Sequence, residues 1–203
     1  MYSSKRLTVL SYSRLSFKRF LTSESVACPS QIVNKHLWCS SGYINGSFTV
    51  GSATETFDIT NPANGNVIAK LPRMNVDDVD HASKVAFDAW QSWKTTTTKE
   101  RSKILSKMAS LMLHYLDDLS MILTLEAGKP FNEAKGEVLY AQSFYELYAE
   151  EAKRLTGEVL PNPVQGRRMV TIKQPVGPAA LITPWNFPSA MITRKVGPAV
   201  RFI

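Results

Sequence analysis

An amide, a guanidinium and two prolines lie close together near the end of this 203-residue chain, in Thr183-Pro-Trp-Asn-Phe-Pro-Ser-Ala-Met-Ile-Thr-Arg194. Pro184 and Pro188 each remove a backbone donor and fix φ, so the turn between them holds one shape at low entropic cost. Held in that shape, Asn186 presents N–H groups that could donate to negative charge developing on a substrate oxygen, the requirement of an oxyanion hole. The residues leave a second reading open, in which Asn186 bonds to its own backbone in the turn. Arg194 follows eight residues later. On one continuous helix that spacing is ~12 Å of rise and places the two side chains on nearly the same side. A guanidinium facing a pocket forks onto a carboxylate and selects a substrate bearing an acid. On a surface or domain interface it makes a salt bridge instead, and spacing alone does not decide between the two.

Other chemistries are excluded by what the chain lacks. Both cysteines, Cys28 and Cys39, precede residue 41, so the body offers no disulfide framework, no cysteine metal site and no thiol nucleophile. His36, His81 and His114 stand singly, and zinc needs three or four convergent ligands, so no metal is expected. The net charge of +7 is unevenly spread: residues 1–40 hold six basic side chains against Glu24 alone, leaving 18 basic and 16 acidic in residues 41–203. The body therefore carries no basic stripe that would track phosphates, and no nucleic-acid partner is expected. Residues 1–40 also hold nine serines, with Leu7, Leu10, Phe17 and Leu21 in one helical sector. This composition reads as a mitochondrial transit peptide, a plastid one or a plain disordered tail being the alternatives, and as lying outside the fold. No run approaches the ~18 to 20 apolar residues that span a bilayer, so no membrane partner is expected.

The elements that must position the candidate residues follow from periodicity. Asn45-Gly46 between β-prone runs in 43–50 predicts a tight hairpin, and Thr56–Thr60 and Val67–Leu71 around Pro62 and Gly65 predict a second. From Asn75, a candidate N-cap, the period becomes 3.6. Val79, Ala82, Ala86, Trp90 and Trp93 share one face. A second helix is predicted from Thr98 through about seven turns to Gly128, and a third from Asn132 to Leu155 with Val138, Ala141, Tyr145, Tyr148, Ala149 and Ala152 buried. Arg168–Lys173 alternates as a strand. Ala179–Thr183 is apolar on both faces, as a strand inside a parallel sheet would be, with Asn186 at its carboxyl edge where open α/β folds bind ligands. Two regions result, a tail over 1–40 and an α/β body over 41–203.

These residues carry a resemblance. Pro175-Val-Gly-Pro-Ala-Ala-Leu-Ile-Thr-Pro-Trp-Asn-Phe-Pro is similar to the start of the cofactor strand in the aldehyde dehydrogenase superfamily, and Ser189-Ala-Met-Ile-Thr-Arg-Lys-Val-Gly-Pro-Ala resembles its succinate-semialdehyde branch. Tyr43-Ile-Asn-Gly, Asn61-Pro-Ala-Asn-Gly, Leu125-Glu-Ala-Gly-Lys-Pro, Gly136-Glu-Val and Tyr148-Ala-Glu-Glu-Ala-Lys-Arg agree, and the likeness covers about residues 41–199. The resemblance implies the first part of an NAD-binding, Rossmann-like domain, with a hairpin arm and long helices, truncated before its catalytic domain. It implies oxidation of succinate semialdehyde to succinate with NAD or NADP, a step of 4-aminobutyrate breakdown, in a mitochondrial homo-oligomer. Cysteine attack on the aldehyde, hydride transfer and glutamate-activated hydrolysis make up the family's mechanism. Asn186 matches the amide that steadies the oxyanion, Ile182, Thr183, Pro184 and Trp185 match the strand end along the nicotinamide half, and Arg194 matches the grip on the distal carboxylate.

The chain departs from the family's pattern at Val200-Arg-Phe-Ile, where a cofactor-binding lysine strand is expected, and it contains neither the nucleophilic cysteine nor the general-base glutamate. Without the nucleophile the covalent route is lost, so the polypeptide alone is expected to be inactive. Two alternatives accompany this reading, a noncatalytic subunit that joins full-length enzyme, and a dehydrogenase for a different acid semialdehyde.

Overall fold

The computed structural model describes residues 26–202. The bulk of the predicted transit peptide, residues 1–25, lies outside the described residues.

Six short strands and five helices make up the described chain, in the order β1 Gly42–Ile44, β2 Ser47–Thr49, β3 Thr56–Thr60, β4 Val67–Pro72, α1 Val76–Trp93, α2 Thr98–His114, α3 Leu116–Ala127, α4 Phe131–Glu151, β5 Glu158–Leu160, β6 Met169–Thr171 and α5 Pro188–Phe202. The strands pair as three antiparallel hairpins, β1 with β2, β3 with β4, and β5 with β6. Asn45 at φ 52° and Gly46 at φ 75° supply the two positive-φ positions that a two-residue hairpin turn needs. The α/β class therefore holds. The expected parallel sheet is not formed among the described residues: Ala179–Thr183 takes no regular secondary structure and has no ladder partner, and Ile182 is 84% exposed. A strand that is apolar on both faces stays in the open when no neighbour reaches it.

Local chemistry sets the helix starts. Asn75 accepts the Asp78 N–H while the Asp78 carboxylate takes the Asn75 N–H, and Thr97 and Glu100 do the same for α2. The seven-turn helix expected from Thr98 is two helices, because Tyr115 leaves helical geometry at φ −105°, ψ 22° and Asp117 and Asp118 begin the first turn of α3. The predicted third helix ends earlier, at Glu151, and finishes in a 3₁₀ turn over Ala152–Arg154.

The core is a packing of α2, α4 and α5. Leu105 and Ala109 meet Tyr145 and Ala149, with Met108, Met112, Tyr148, Val196 and Val200 around them. Val138 and Ala134 of α4 also receive Leu123, with Leu116 and Leu119 of α3 alongside. The apolar face expected on α1 is covered only in part: Val79 is 60% exposed and Ala86 is exposed, whereas Ala82, Trp90 and Trp93 are half-buried. The facing helices α2 and α4 spend their apolar stripes on each other.

The boundary placed at residue 40 needs correction. Ile32 is 1% exposed and packs with Ile68 and Leu125, flanked by Cys28 and Trp38, so residues 28–38 belong to the fold. Asp118 clasps this segment by accepting the Val33 N–H at 2.8 Å, the Asn34 N–H at 3.0 Å and the Asn34 side-chain amide. That side-chain bond, followed by the two backbone bonds, holds the Asp118 carboxyl below its ordinary range against the opposing effect of burial.

A lowered folded-state value means that the clasp contributes fully above the unfolded-state pKa of ~3.9 and is lost as pH falls through the lower folded value. Protection of the Val33 and Asn34 amides, relative to their intrinsic exchange rates, should therefore fall only in acid, below about pH 4. Asp118→Ala should lower it by about 10-fold or more at neutral pH. Protection at those two amides that is indifferent to both changes would show that the segment is held by Ile32 alone.

Candidate functional site

Helix α5 carries the site, and its start is built from the corner residues. Pro188 is its first residue, a position where the missing N–H costs nothing and φ is already helical. The Phe187 carbonyl accepts the first helical bond from the Met191 N–H at 2.8 Å. The next two orphan donors, Ser189 N–H and Ala190 N–H, reach the Glu137 carboxylate of α4 at 2.9 and 3.3 Å. Glu137 is 3% exposed, and its other oxygen pairs with the Lys129 ammonium. That ammonium also lies 3.9 Å from the centre of the Phe187 ring, a cation–π contact.

A cleft of about 540 Å³ opens on this arrangement, lined by Lys129, Glu133, Gly136, Glu137, Tyr140, Asn186 and Phe187. Asn186 is exposed at its wall, and its side chain makes no hydrogen bond to another described residue. The self-bonded turn is thus not adopted, and both amide hydrogens remain available to a ligand.

Arg194 does not line this cleft. Asn186 precedes the helix, so the eight-residue helical rise overcounts; only six steps, ~9 Å, separate Pro188 from Arg194. Arg194 is exposed, lies 5.9 Å over the Phe144 ring and touches the Met191 sulfur at 3.8 Å. It forms no ion pair among the described residues, which leaves its guanidinium open to a carboxylate. Phe144 lies 4.8 Å from Tyr140 with the rings tilted by 60°, so an aromatic pair on α4 joins Arg194's surroundings to the cleft. Pro198 removes the helical bond that the Arg194 carbonyl would otherwise accept.

Upstream, Ile182 and Trp185 are 84% and 86% exposed, and no backbone N–H from Ala179 to Trp185 is hydrogen-bonded among the described residues. The Ile182 carbonyl accepts from the Lys195 ammonium. Unbonded backbone beside an exposed indole offers free N–H groups and a flat apolar face to the nicotinamide ring of a dinucleotide. The pyrophosphate does not fit at α5, because Glu137 already occupies the two N–H groups that a helix start would offer an anion.

Two residues essential to this geometry went unread in the sequence. Glu137 appeared only inside Gly-Glu-Val, and Arg101 lay within an ordinary helix start. Arg101 is 5% exposed and donates to the Trp93 carbonyl at 3.1 Å, the Arg201 carbonyl at 3.0 Å and the Thr96 hydroxyl at 2.9 Å. It thereby closes the carboxyl ends of α1 and α5.

Residues 48–202 match the aldehyde dehydrogenase family, and the chain belongs to that family. Among curated relatives, the NADP-dependent succinate-semialdehyde dehydrogenase of Escherichia coli is 46% identical, with 82% of this chain and 35% of that protein covered. A glutarate-semialdehyde dehydrogenase of Pseudomonas putida is 45% identical over 84% of this chain and 35% of its own length. The mitochondrial succinate-semialdehyde dehydrogenase of Arabidopsis thaliana is 40% identical over 90% of this chain and 34% of its own. In structure, succinate-semialdehyde dehydrogenase from Burkholderia pseudomallei superposes with a TM-score of 0.82 at 43% identity, over 84% of this chain and 36% of that one. A Staphylococcus aureus betaine aldehyde dehydrogenase in complex with NAD+ reaches 0.77 at 27% identity, over 80% and 33%. The chain spans about a third of the length of these proteins.

The seat of α5 on α4 depends on Gly197. A Cβ there would sit 2.6 Å from Tyr148 Cδ2, 3.2 Å from Cγ and 3.4 Å from its Cβ, so the ring cannot swing clear. Alanine would gain about 1 kcal/mol of helix propensity. Overpacking costs about 1–3 kcal/mol, and net destabilisation is expected from Gly197→Ala. A denaturation midpoint that rises instead would refute the close seat.

Proposed function

We propose that this segment belongs to an NAD(P)-dependent dehydrogenase that oxidises succinate semialdehyde to succinate. One observation carries the reading: a proline-locked corner holds the unpaired Asn186 amide at the wall of a cleft. When bound, the nicotinamide accepts the hydride that leaves the substrate carbon. The Asn186 N–H groups donate to the aldehyde oxygen as it gains negative charge, an interaction stronger in the transition state than before it. The open Ile182–Trp185 stretch would hold the nicotinamide half of the cofactor, whose ring supplies the hydride acceptor. Arg194, exposed and free of an ion pair among the described residues, takes the distal carboxylate. NAD and NADP both suit these residues, which meet the nicotinamide rather than the ribose.

The thiol nucleophile and the general base come from outside these 203 residues. Cys28 packs beside Ile32 and Cys39 is exposed with its thiol on the His36 carbonyl, and desolvation pushes both thiols above their ordinary value, away from the reactive thiolate. The whole enzyme is read as a homo-oligomer. A substrate one carbon longer is the second reading, motivated by the glutarate-semialdehyde dehydrogenase that is 45% identical.

In the full-length enzyme built on this segment, Asn186→Ala should lower kcat by about 10²–10³-fold. Arg194→Ala should raise KM for succinate semialdehyde far more than for an uncharged aldehyde of similar length. Equal effects on both aldehydes would remove the carboxylate role, and the KM ratio of succinate to glutarate semialdehyde ranks the two substrates. The 203-residue chain assayed alongside should show no turnover.

Location in the mitochondrion is proposed from the basic, serine-rich start of the chain together with mitochondrial relatives. Residues 1–27 fused to a fluorescent protein should direct it into mitochondria, ahead of the segment that Asp118 clasps. Diffuse or plastid fluorescence would count against that address.

A further inference from the structure

We infer that Glu137 is the positioning residue for the Asn186 corner: from α4 it fixes the two N–H groups that follow the corner, and with Lys129 it grips Phe187, so the direction of the Asn186 amide is set there. The inference rests on the reading of Asn186 as the oxyanion donor.

The argument begins with what does not hold Asn186. The backbone N–H groups from Ala179 to Trp185 are unbonded among the described residues, and the hold on that stretch is the Lys195 contact to the Ile182 carbonyl. The corner is therefore anchored from its downstream side. There, the Glu137 carboxylate accepts the Ser189 and Ala190 N–H groups on one oxygen and the Lys129 ammonium on the other. The Glu137 side chain is 1% exposed and that of Lys129 is 15% exposed, so water competes weakly for either. Phe187, the residue next to Asn186, has its ring under the same ammonium at 3.9 Å.

Charge suits the place. The start of a helix carries partial positive charge from its unpaired N–H groups, and a buried carboxylate there is favoured in a way that a neutral acceptor is not. Lys129, Glu137, Asn186 and Phe187 line one cleft, so the support and the supported amide form a single wall. A displacement of about 1 Å in a group that must meet a developing charge costs about 10²-fold in rate.

The 203-residue chain tests the geometry directly by NMR. E137A should speed exchange at the Ser189 and Ala190 amides by about 10-fold or more and shift the Asn186 side-chain signals, with the Thr193 and Gly197 amides still protected. E137Q, whose amide oxygen accepts the same two bonds, should keep most of that protection. Unmoved Asn186 signals in E137A overturn the inference. In the full-length enzyme, E137A should lower kcat by about 10²-fold with KM held within about twofold, and adding it to N186A should cost nothing more. If N186A lowers kcat while E137A does not, or if the two losses multiply, Glu137 is no positioning residue and the oxyanion reading survives. If N186A leaves kcat unchanged, the oxyanion reading itself fails, and the inference with it. Should E137A lose α5 altogether, E137Q decides. Retained amide protection with near wild-type kcat supports the role, and retained protection with kcat lost overturns it.

Discussion

Helix α5 is held at both ends by charges buried in the protein, and the rest of the site depends on that bracket. At its amino end Glu137 takes the orphan N–H groups, and at its carboxyl end Arg101 takes the Arg201 carbonyl. Each sign matches the end of the macrodipole that it meets. Neither charge is orphaned. Glu137 has Lys129 as its counter-charge, and Arg101 spreads its charge over two carbonyls and a hydroxyl, with the Trp93 ring 5.3 Å beneath. Removing one member of a buried charged set costs about 3–5 kcal/mol, because its partner is left uncompensated. The bracket therefore specifies where α5 lies more firmly than apolar contact alone would.

Apolar packing supplies the energy that the bracket directs. Leu105, Ala109, Tyr145 and Ala149 are buried between α2 and α4, and Val196 and Val200 extend that core to α5. Gly197 lets the α5 backbone approach the Tyr148 ring closely enough to complete it. The hairpins lie outside this packing and are tied to the helices at a few points, among them Ile59 and Ile68 beside Ile32 and Leu125, and Ser52 bonded to Asp78. The same division explains what stays bare: the α1 face with Val76 and Val79, and the stretch from Val176 to Trp185, have no core residue opposite them among the described residues.

Features legible in the sequence are those whose cause lies within a few residues. Asn45-Gly46 announces its turn through φ, Asn75 with Asp78 announces a helix start, and the prolines announce the rigid corner. Tyr115 was invisible because its stripe of Leu111, Met112 and Leu119 continues through the break. The Asp117-Asp118 pair, favouring a helix start, was the available signal. The long-range contacts could not be read. Asp118 meets a segment 84 and 85 residues away, Glu137 acts across 52 and 53, and Arg101 reaches across 100. A buried Glu looks like a solvated one when only spacing is known, and nothing local distinguishes Glu137 from Glu133.

The separation of Asn186 from Arg194 has a mechanical meaning. One residue sits on a corner before the helix and the other six steps into it, so they ride on one rigid element rather than facing each other across a cavity. Tyr140, which lines the Asn186 cleft, contacts Phe144, over which Arg194 lies. On the proposed reading, a substrate held at both ends is measured against the rise of α5, and a slip of that helix on α4 would misplace the proposed oxyanion donor and acid grip together. The same reading couples rate to selectivity, because both proposed groups depend on the seat that Glu137 and Gly197 define.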